Sequence, residues 1–412
     1  MMTDILLGQT GMAATNNLMP LPFAILGLGL FAIALTEERL NFVLLFLSGV
    51  MLAIGPGFKV SAFAFIPAVA IGCFLVPRNL PFALRLRHMV LPVGLGGLLG
   101  ALPLIWLALT RTDLFFAHIG GYHTGPHIAF WRDNAISEPD LALGLAAKIQ
   151  LSFSVWFAGA AMLSAFIAAL GFATVRRAGP DHRPGWTADA AMIVTAATIC
   201  AALFAFLPTP GFPQYYAPPL AGLTVLTALL YRALPSDSHA AFRGAVSVAL
   251  VLTLLVGSPR LALGLNALRH PENFTANRVA QGAERLRQAV KDAGLPADGR
   301  VATLSPIYPL EAGLEIYPEL SAGLFGYRVT PYIGPELAGN YALISPDGLA
   351  GLLDTDPPVA VMTGFDPRLD DAFNQYAQSR GYARRDFPAI NDRYGEATLW
   401  LAPLSVEEGE TQ

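Results

Sequence analysis

Long apolar runs fill the first two thirds of the chain, and shorter mixed patterns of apolar and polar residues fill the rest. A bilayer core about 30 Å thick is crossed by roughly 20 mainly apolar residues in a helix. We therefore expect an α-helical multi-span membrane domain over residues 1–264. The runs predict about eight transmembrane helices, at residues 19–36, 40–54, 60–77, 89–109, 151–174, 189–207, 218–232 and 244–264.

The remaining residues, 265–412, have the pattern of a small α/β soluble domain. Residues 275–294 predict a helix that ends at Gly294, and residues 367–381 predict a second helix. Short apolar segments predict three strands, at residues 300–305, 358–364 and 397–404. The apolar stripe of the first helix consists of Val279, Ala283, Leu286 and Val290.

Composition supports this interpretation. Hydrophobic residues make up 54% of the chain and charged residues only 14%, whereas a soluble domain carries about 25% charged residues. The net charge of −4 argues against a nucleic-acid partner. The two cysteines, Cys73 and Cys200, have neither the spacing of a disulfide framework nor that of a metal site. Residues 1–18 contain Asp4 but no Lys or Arg, so they lack the basic leader of a signal peptide.

Basic residues in the short loops predict the orientation, because cytoplasmic loops carry an excess of Arg and Lys. The segment at Arg39 and the loops 78–88, 175–188 and 232–243 are rich in arginine. They alternate with segments that are poorer in basic residues, at 1–18, 55–59, 110–150 and 208–217. We expect the first set to be cytoplasmic and the second set, together with the C-terminal domain, to face outward.

The outward segment 110–150 holds the densest set of polar and aromatic side chains. Trp131 beside Arg132 suits a sugar ring or a phosphate. His123 and His127 are four residues apart, but Gly125 and Pro126 between them disfavour a helix, so a metal site is not expected there. The alternative is a loop whose Trp and Tyr side chains anchor it at the level of the lipid headgroups.

Two further outward turns carry candidate residues. Lys59 follows the sequence GPGF at the start of the third predicted span, and it either extends to water or pairs with a lipid-linked phosphate. The turn at 207–220 contains Gln214, Tyr215 and Tyr216 among prolines. These residues supply neutral hydrogen-bonding groups at the membrane edge or form part of an aromatic belt.

The segment KVSAFAFIPA, which begins at Lys59, and the later segment FPQYYAPPLAGLTVL resemble motifs of the GT-C membrane glycosyltransferases. This superfamily includes the protein O-mannosyltransferases and the transferases that modify lipid A and the lipopolysaccharide core. Residues 301–323 resemble a stretch that follows the spans in bacterial members. The resemblance covers residues 10–330, and the order of the motifs carries it more than any one of them.

The resemblance implies an enzyme of the bacterial inner membrane that transfers a sugar from a polyprenyl-phosphate carrier to a glycan, lipid or protein acceptor on the outer face. It assigns carrier binding to Lys59, Gln214, Tyr215 and Tyr216. We add His123, Trp131 and Arg132 of the outward segment as candidate substrate-binding residues. No cofactor is implied with certainty, and the need for a divalent metal stays open.

The family uses an acidic residue in its first outward loop as the general base. In the family this loop comes before several spans that would precede residue 19 here, and the outward turn that corresponds to residues 10–18 carries Arg or Asp in many members but neither in this sequence. The resemblance therefore leaves the catalytic residue unassigned, and a fragment, a misplaced start and an inactive relative stay open. Two alternatives are a non-catalytic membrane scaffold with an outward α/β domain and a lipid or sugar transporter. Transporters place ionisable residues within the membrane and show internal repeats, and the sequence shows neither.

Overall fold

The structure is a computed structural model that describes residues 19–37, 40–135, 141–157, 159–179, 185–392 and 395–404. Several sequence predictions lie outside the described residues. They concern Asp4, the segment 10–18, Arg39 and Arg183. The described residues form two compact units, of which the first comprises residues 1–123 and 134–265 and the second comprises residues 124–133 and 266–412.

The first unit is built from apolar helices. Their bounds, in chain order, are α1 Pro20–Thr36, α2 Phe42–Phe58, α3 Val60–Leu75, α4 Phe82–Thr110, α5 Thr112–Phe116, α6 Tyr122–Thr124, α7 Leu145–Trp156, α8 Gly159–Arg177, α9 Gly185–Phe204, α10 Pro219–Ala233 and α11 His239–Arg269. The first residues of α3 form a 3₁₀ turn, and a π turn lies inside α4. Another π turn, Ala117–Gly121, joins α5 to α6.

The prediction of eight transmembrane helices is wrong in number. Within the described ranges, four helices are long and apolar enough to cross a membrane, at Phe82–Thr110, Gly159–Arg177, Thr187–Phe204 and Ser236–Val256. Apolar helices at 20–36, 42–58 and 60–75 are shorter than the roughly 20 residues that a span requires, and α10 is shorter still. An unbroken apolar run in the sequence does not show where the helix inside it begins and ends. The chain is nevertheless a multi-pass membrane protein.

The helices α2 and α4 approach each other at glycines. A Cβ atom added at Gly96 would lie 1.9 Å from the carbonyl oxygen of Phe46, and one added at Gly49 would lie 2.2 Å from the carbonyl oxygen of Val93. Small residues allow this close backbone approach, which favours van der Waals packing between helices in lipid. The buried hydroxyl of Ser48 donates to the carbonyl oxygen of Gly27 at 2.7 Å and so links α2 to α1.

A salt bridge connects the start of α9 with the loop that follows α3. The carboxylate of Asp189 is buried, and its Oδ1 lies 3.1 Å from Nε of Arg78. The backbone N–H of Arg78 also donates to Oδ2 of Asp189, at 3.3 Å. Because a buried carboxylate is costly unless it is paired, this contact fixes the relative position of the two segments.

The second unit contains a mixed five-stranded sheet in the order β2-β1-β3-β5-β4. Strand β1 is parallel to both β2 and β3, whereas β5 is antiparallel to both β3 and β4. The strands are β1 Arg300–Thr303, β2 Glu315–Ile316, β3 Ala360–Thr363, β4 Ala383–Asp392 and β5 Gly395–Leu401. The α/β class of this part is therefore confirmed. Strands β2 and β4 were not predicted.

Helices surround this sheet, and they include the two that the sequence predicts. They are α12 Pro126–Asp133, which precedes α7 in the chain, and α13 Thr275–Asp292, α14 Ile307–Glu311, α15 Gly323–Tyr327, α16 Pro335–Asn340, α17 Leu349–Thr355 and α18 Asp371–Ser379. Of the predicted stripe, Ala283, Leu286 and Val290 are buried. Gly294 ends α13 in the left-handed conformation, with φ +71.

Most of the described part of the segment 110–150 is helical. Residues 112–124 are helical as far as Thr124, and α12 begins at Pro126 after a single turn residue, Gly125. Proline is favourable in the first turn of a helix, because its missing N–H has no partner there. The expectation that Gly125 and Pro126 disfavour a helix is therefore correct only at Gly125, the turn residue between α6 and α12. Helix α12 belongs to the second unit.

Candidate functional site

The structure distributes the seven candidate residues over the two units. Lys59, His123, Gln214, Tyr215 and Tyr216 belong to the first unit. Trp131 and Arg132 lie on α12 and belong to the second unit. We describe the two groups separately.

Lys59 and Tyr215 come together in the first unit. Lys59 is the residue at the C-terminal end of α2, where its backbone N–H donates to the carbonyl oxygen of Gly55 at 3.2 Å. Tyr215 lies in the 3₁₀ turn Pro213–Tyr216. The Lys59 Nζ atom is 4.7 Å from the centre of the Tyr215 ring, which is the geometry of a cation–π contact.

Lys59 is half-buried, and within the described part of the chain no carboxylate forms a salt bridge with it. Burial lowers the pKa of Lys59 below its usual range, because desolvation disfavours the charged amine. A lysine in these surroundings can accept an anionic ligand without displacing a protein carboxylate.

His123 and Tyr122 complete this group. Burial lowers the pKa of His123, and the positive charge of Lys59 and the nearby His118 lower it further. The rings of Tyr122 and His123 are 5.0 Å apart and perpendicular. Burial also raises the pKa of Tyr215, with a smaller contribution from Tyr122. Lys59 and Tyr215 are therefore in direct contact, and His123 lies within the electrostatic influence of Lys59.

The neighbouring residues Gln214 and Tyr216 have different surroundings. The side-chain oxygen Oε1 of Gln214 is buried and has no hydrogen-bond donor within the described ranges. Tyr216 is fully buried, and its hydroxyl donates to the backbone carbonyl of Lys148 at 3.1 Å. Its ring packs against Trp156 and Phe206. Tyr216 therefore anchors the turn, while Tyr215 contacts Lys59.

A buried lysine supports the same turn, and the sequence did not single it out. The side chain of Lys148 on α7 is 5% exposed. Its Nζ atom donates to the carbonyl oxygen of Phe206 at 2.9 Å and to the hydroxyl of Thr209 at 2.7 Å. Burial lowers the pKa of Lys148. The only signal in the sequence is its position just before an apolar run in a chain with three lysines.

In the second unit, Trp131 is buried and Arg132 is exposed, so neighbours on α12 have opposite environments. The guanidinium of Arg328 lies 5.0 Å from the centre of the Trp131 ring. Sequence reasoning missed Arg328, because an isolated arginine after the aromatic residues of GLFGY has no distinctive pattern. Asp133 follows Arg132 on α12. One of its carboxylate oxygens accepts a hydrogen bond from the hydroxyl of Tyr332 at 2.9 Å.

Among the described side chains, no group of three or more His, Cys, Asp and Glu residues is close enough to hold a metal ion. His123 and His127, which are four residues apart in the sequence, belong to different units.

The chain was compared with protein-family models, with curated proteins and with solved structures. It matches none of them.

Proposed function

We propose that the chain is an integral membrane glycosyltransferase of the GT-C type. It transfers a sugar from a polyprenyl-phosphate carrier to a glycan, lipid or protein acceptor on the outer face of the bacterial inner membrane. The observation that carries this proposal is the contact between Lys59 and Tyr215, which belong to the two segments that resemble family motifs. The second unit lies on the periplasmic side in this proposal.

The side chains of Lys59 and Tyr215 have the chemistry that binds a carrier phosphate. A lysine binds phosphate as a compact point charge, and a phenol hydroxyl donates a hydrogen bond to a phosphate oxygen. Lys59 is half-buried and has no carboxylate partner among the described residues, so a phosphate would meet no competing carboxylate there. Buried anions are favourable only when they are paired with a charge and hydrogen-bonded.

In the proposed reaction, the positive charge of Lys59 acts on the leaving phosphate. The acceptor hydroxyl forms a bond to the anomeric carbon of the sugar, and the bond from that carbon to the carrier phosphate breaks. The phosphate gains negative charge as it leaves, and Lys59 stabilises that charge. A general base must take the proton of the acceptor hydroxyl.

Carrier binding tests the proposal directly. The 412-residue chain in nanodiscs of zwitterionic lipid is titrated with undecaprenyl phosphate, and Lys59→Ala is compared with Lys59→Arg. Loss of one charge-assisted contact should weaken binding about 10- to 100-fold in Lys59→Ala, and Lys59→Arg should retain part of the affinity. Lys291→Ala provides the control, since Lys291 is exposed at the end of α13.

Equal affinity of Lys59→Ala and the unchanged protein would contradict the assignment of Lys59. A transfer assay with a polyprenyl-phosphate sugar then separates the classes of protein. Carrier binding without transfer favours the non-catalytic scaffold, whereas movement of the carrier across proteoliposomes favours a transporter.

A further inference from the structure

An arginine of the second unit is surrounded by three aromatic rings. The guanidinium carbon of Arg328 lies 5.2 Å from the ring centre of Phe130, 5.0 Å from that of Trp131 and 4.7 Å from that of Phe325. Phe130 and Trp131 are buried on α12, whereas Phe325 on α15 is 65% exposed. Arg328 is half-buried between them.

The guanidinium of Arg328 has no acceptor within the described part of the chain. No described carboxylate forms a salt bridge with Arg328, and its Nε atom is buried without a hydrogen bond. A guanidinium has five N–H donors and no acceptor of its own. Aromatic faces attract its charge, but they leave these donors unsatisfied.

A second donor in this cluster is also unsatisfied. Trp131 is 8% exposed, and its Nε1 has no hydrogen-bond acceptor among the described residues. The carboxylate that ends the same helix, Asp133, accepts from Tyr332. The cluster thus contains a positive charge and two kinds of buried N–H donor. Buried donors in native proteins almost always have partners, so an acceptor from outside the protein is expected at this cluster.

We propose that Arg328, Trp131 and Phe325 form a binding site for an anionic sugar, with the phosphate or carboxylate group on Arg328. The planar guanidinium matches the two oxygens of an oxyanion. Phe325 presents an exposed aromatic surface beside the guanidinium, on which the apolar face of a sugar ring can pack. The site belongs to the second unit and does not depend on the transfer reaction proposed for Lys59.

A purely structural role makes different demands on Arg328. A cation that only holds α12 against the rest of the second unit needs a positive charge over the rings, which lysine also provides. Oxyanion binding needs the forked donors of arginine, which lysine lacks. The variant Arg328→Lys therefore separates the two roles.

The experiment is calorimetric titration of the 412-residue chain in nanodiscs of zwitterionic lipid. The probes are glucose 1-phosphate, glucuronate, inorganic phosphate and glucose. We expect glucose 1-phosphate and glucuronate to bind more tightly than either phosphate or glucose. Arg328→Gln and Arg328→Lys should each weaken the binding of both anionic sugars at least tenfold. Trp131→Phe, which keeps the ring and removes Nε1, should weaken it severalfold.

Two further variants serve as controls for the Arg328 site. Phe325→Leu changes an exposed residue. It should weaken the binding of glucose 1-phosphate more than the binding of inorganic phosphate. Lys291→Ala, which removes an exposed charge at the end of α13, should leave the binding of both anionic sugars unchanged. The thermal unfolding temperature of each variant shows whether it is folded, and Phe325→Leu keeps the test decisive if the Arg328 variants do not fold.

The proposal is wrong if Arg328→Lys binds the anionic sugars as tightly as the unchanged protein does. It is also wrong if neither anionic sugar binds more tightly than inorganic phosphate. A repeat in nanodiscs that contain phosphatidylglycerol identifies a lipid headgroup as the source of the anion. If that lipid binds through Arg328 and no anionic sugar binds in zwitterionic nanodiscs, the proposal is overturned.

Discussion

The ammonium nitrogen of Lys59 lies 4.7 Å from the centre of the Tyr215 ring. This contact joins the end of α2 to a turn that lies far away in the sequence and precedes α10. The turn itself is held in place by Tyr216, whose hydroxyl donates to the backbone of Lys148. The position of the Tyr215 ring beside Lys59 therefore depends on the attachment of the turn to α7.

The ring of Tyr215 should matter more than its hydroxyl for the position of Lys59. In Tyr215→Leu the cation–π contact is lost, and a loss of about 0.5–2 kcal/mol of stability is expected. Tyr215→Phe retains an aromatic face, so its unfolding temperature should stay close to that of the unchanged protein. Thermal unfolding in detergent measures both variants. Equal destabilisation by Phe and Leu would show that the hydroxyl, not the ring, makes the important contact.

Carrier binding should be linked to protonation of His123. The pKa of His123 is lowered from 6.5 by burial and by the charges of Lys59 and His118. A phosphate bound at Lys59 offsets the positive charge and raises the pKa of His123 again, so binding takes up a proton in the range below about pH 6.5. Calorimetry in buffers of different ionisation enthalpy measures this uptake.

The variant His123→Gln is the matched control for this linkage, because the carrier phosphate titrates equally in both proteins. Proton uptake should be smaller in the variant. The sign for stability follows from the lowered pKa: the folded protein gains stability from a neutral His123 at high pH and loses it as pH falls below 6.5. Identical proton uptake by the two proteins would place the carrier phosphate away from His123.

Lys148 should contribute to stability through its hydrogen bonds. Lys148→Met retains most of the apolar side chain but leaves the carbonyl oxygen of Phe206 and the hydroxyl of Thr209 without their donor. An unsatisfied buried group costs about 1–3 kcal/mol, although removal of a buried charge offsets part of that cost. We expect a lower unfolding temperature for Lys148→Met and no change for Lys291→Met. A more stable Lys148→Met would mean that desolvation of the amine outweighs its hydrogen bonds.

The close packing of α2 against α4 gives a paired prediction. Gly96→Ala places a methyl group against the carbonyl oxygen of Phe46, so the helices must separate. Overpacking of this kind costs about 1–3 kcal/mol or more. Gly94→Ala on the same helix meets nothing within 4 Å and should change stability by no more than about 1 kcal/mol. Thermal unfolding of the two variants should therefore differ clearly, and similar values would contradict the close approach.

Local patterns predicted the second unit well. The stripe that includes Leu286 and the glycine at position 294 indicated α13 and its end, and the structure has both. Strand β2 has two residues, too few for a pattern to form. Strand β4 reads ARRDFPAIND, and its charged residues and proline conceal its pairing with β5. The number of spans was misjudged because helix ends within apolar runs depend on packing.

Sequence patterns identify only some residues of the candidate site. The sequence singled out Lys59 and Tyr215 separately, and the structure places the Lys59 amine near the Tyr215 ring. Arg328 could not be predicted, because its surroundings come from α12 and α15, which are remote from each other in the sequence. The same holds for Lys148, whose partners Phe206 and Thr209 lie beyond two intervening helices.

The membership of α12 in the second unit has a consequence for biosynthesis. Residues 124–133 leave the ribosome before residues 266–412, so Phe130 and Trp131 emerge well before Arg328 and Tyr332, their contacts in the finished fold. The second unit can complete its fold only after the last strand has been made. A chain cut after Leu265 would retain α12 without those contacts, so Phe130 and Trp131 would lack the partners that bury them.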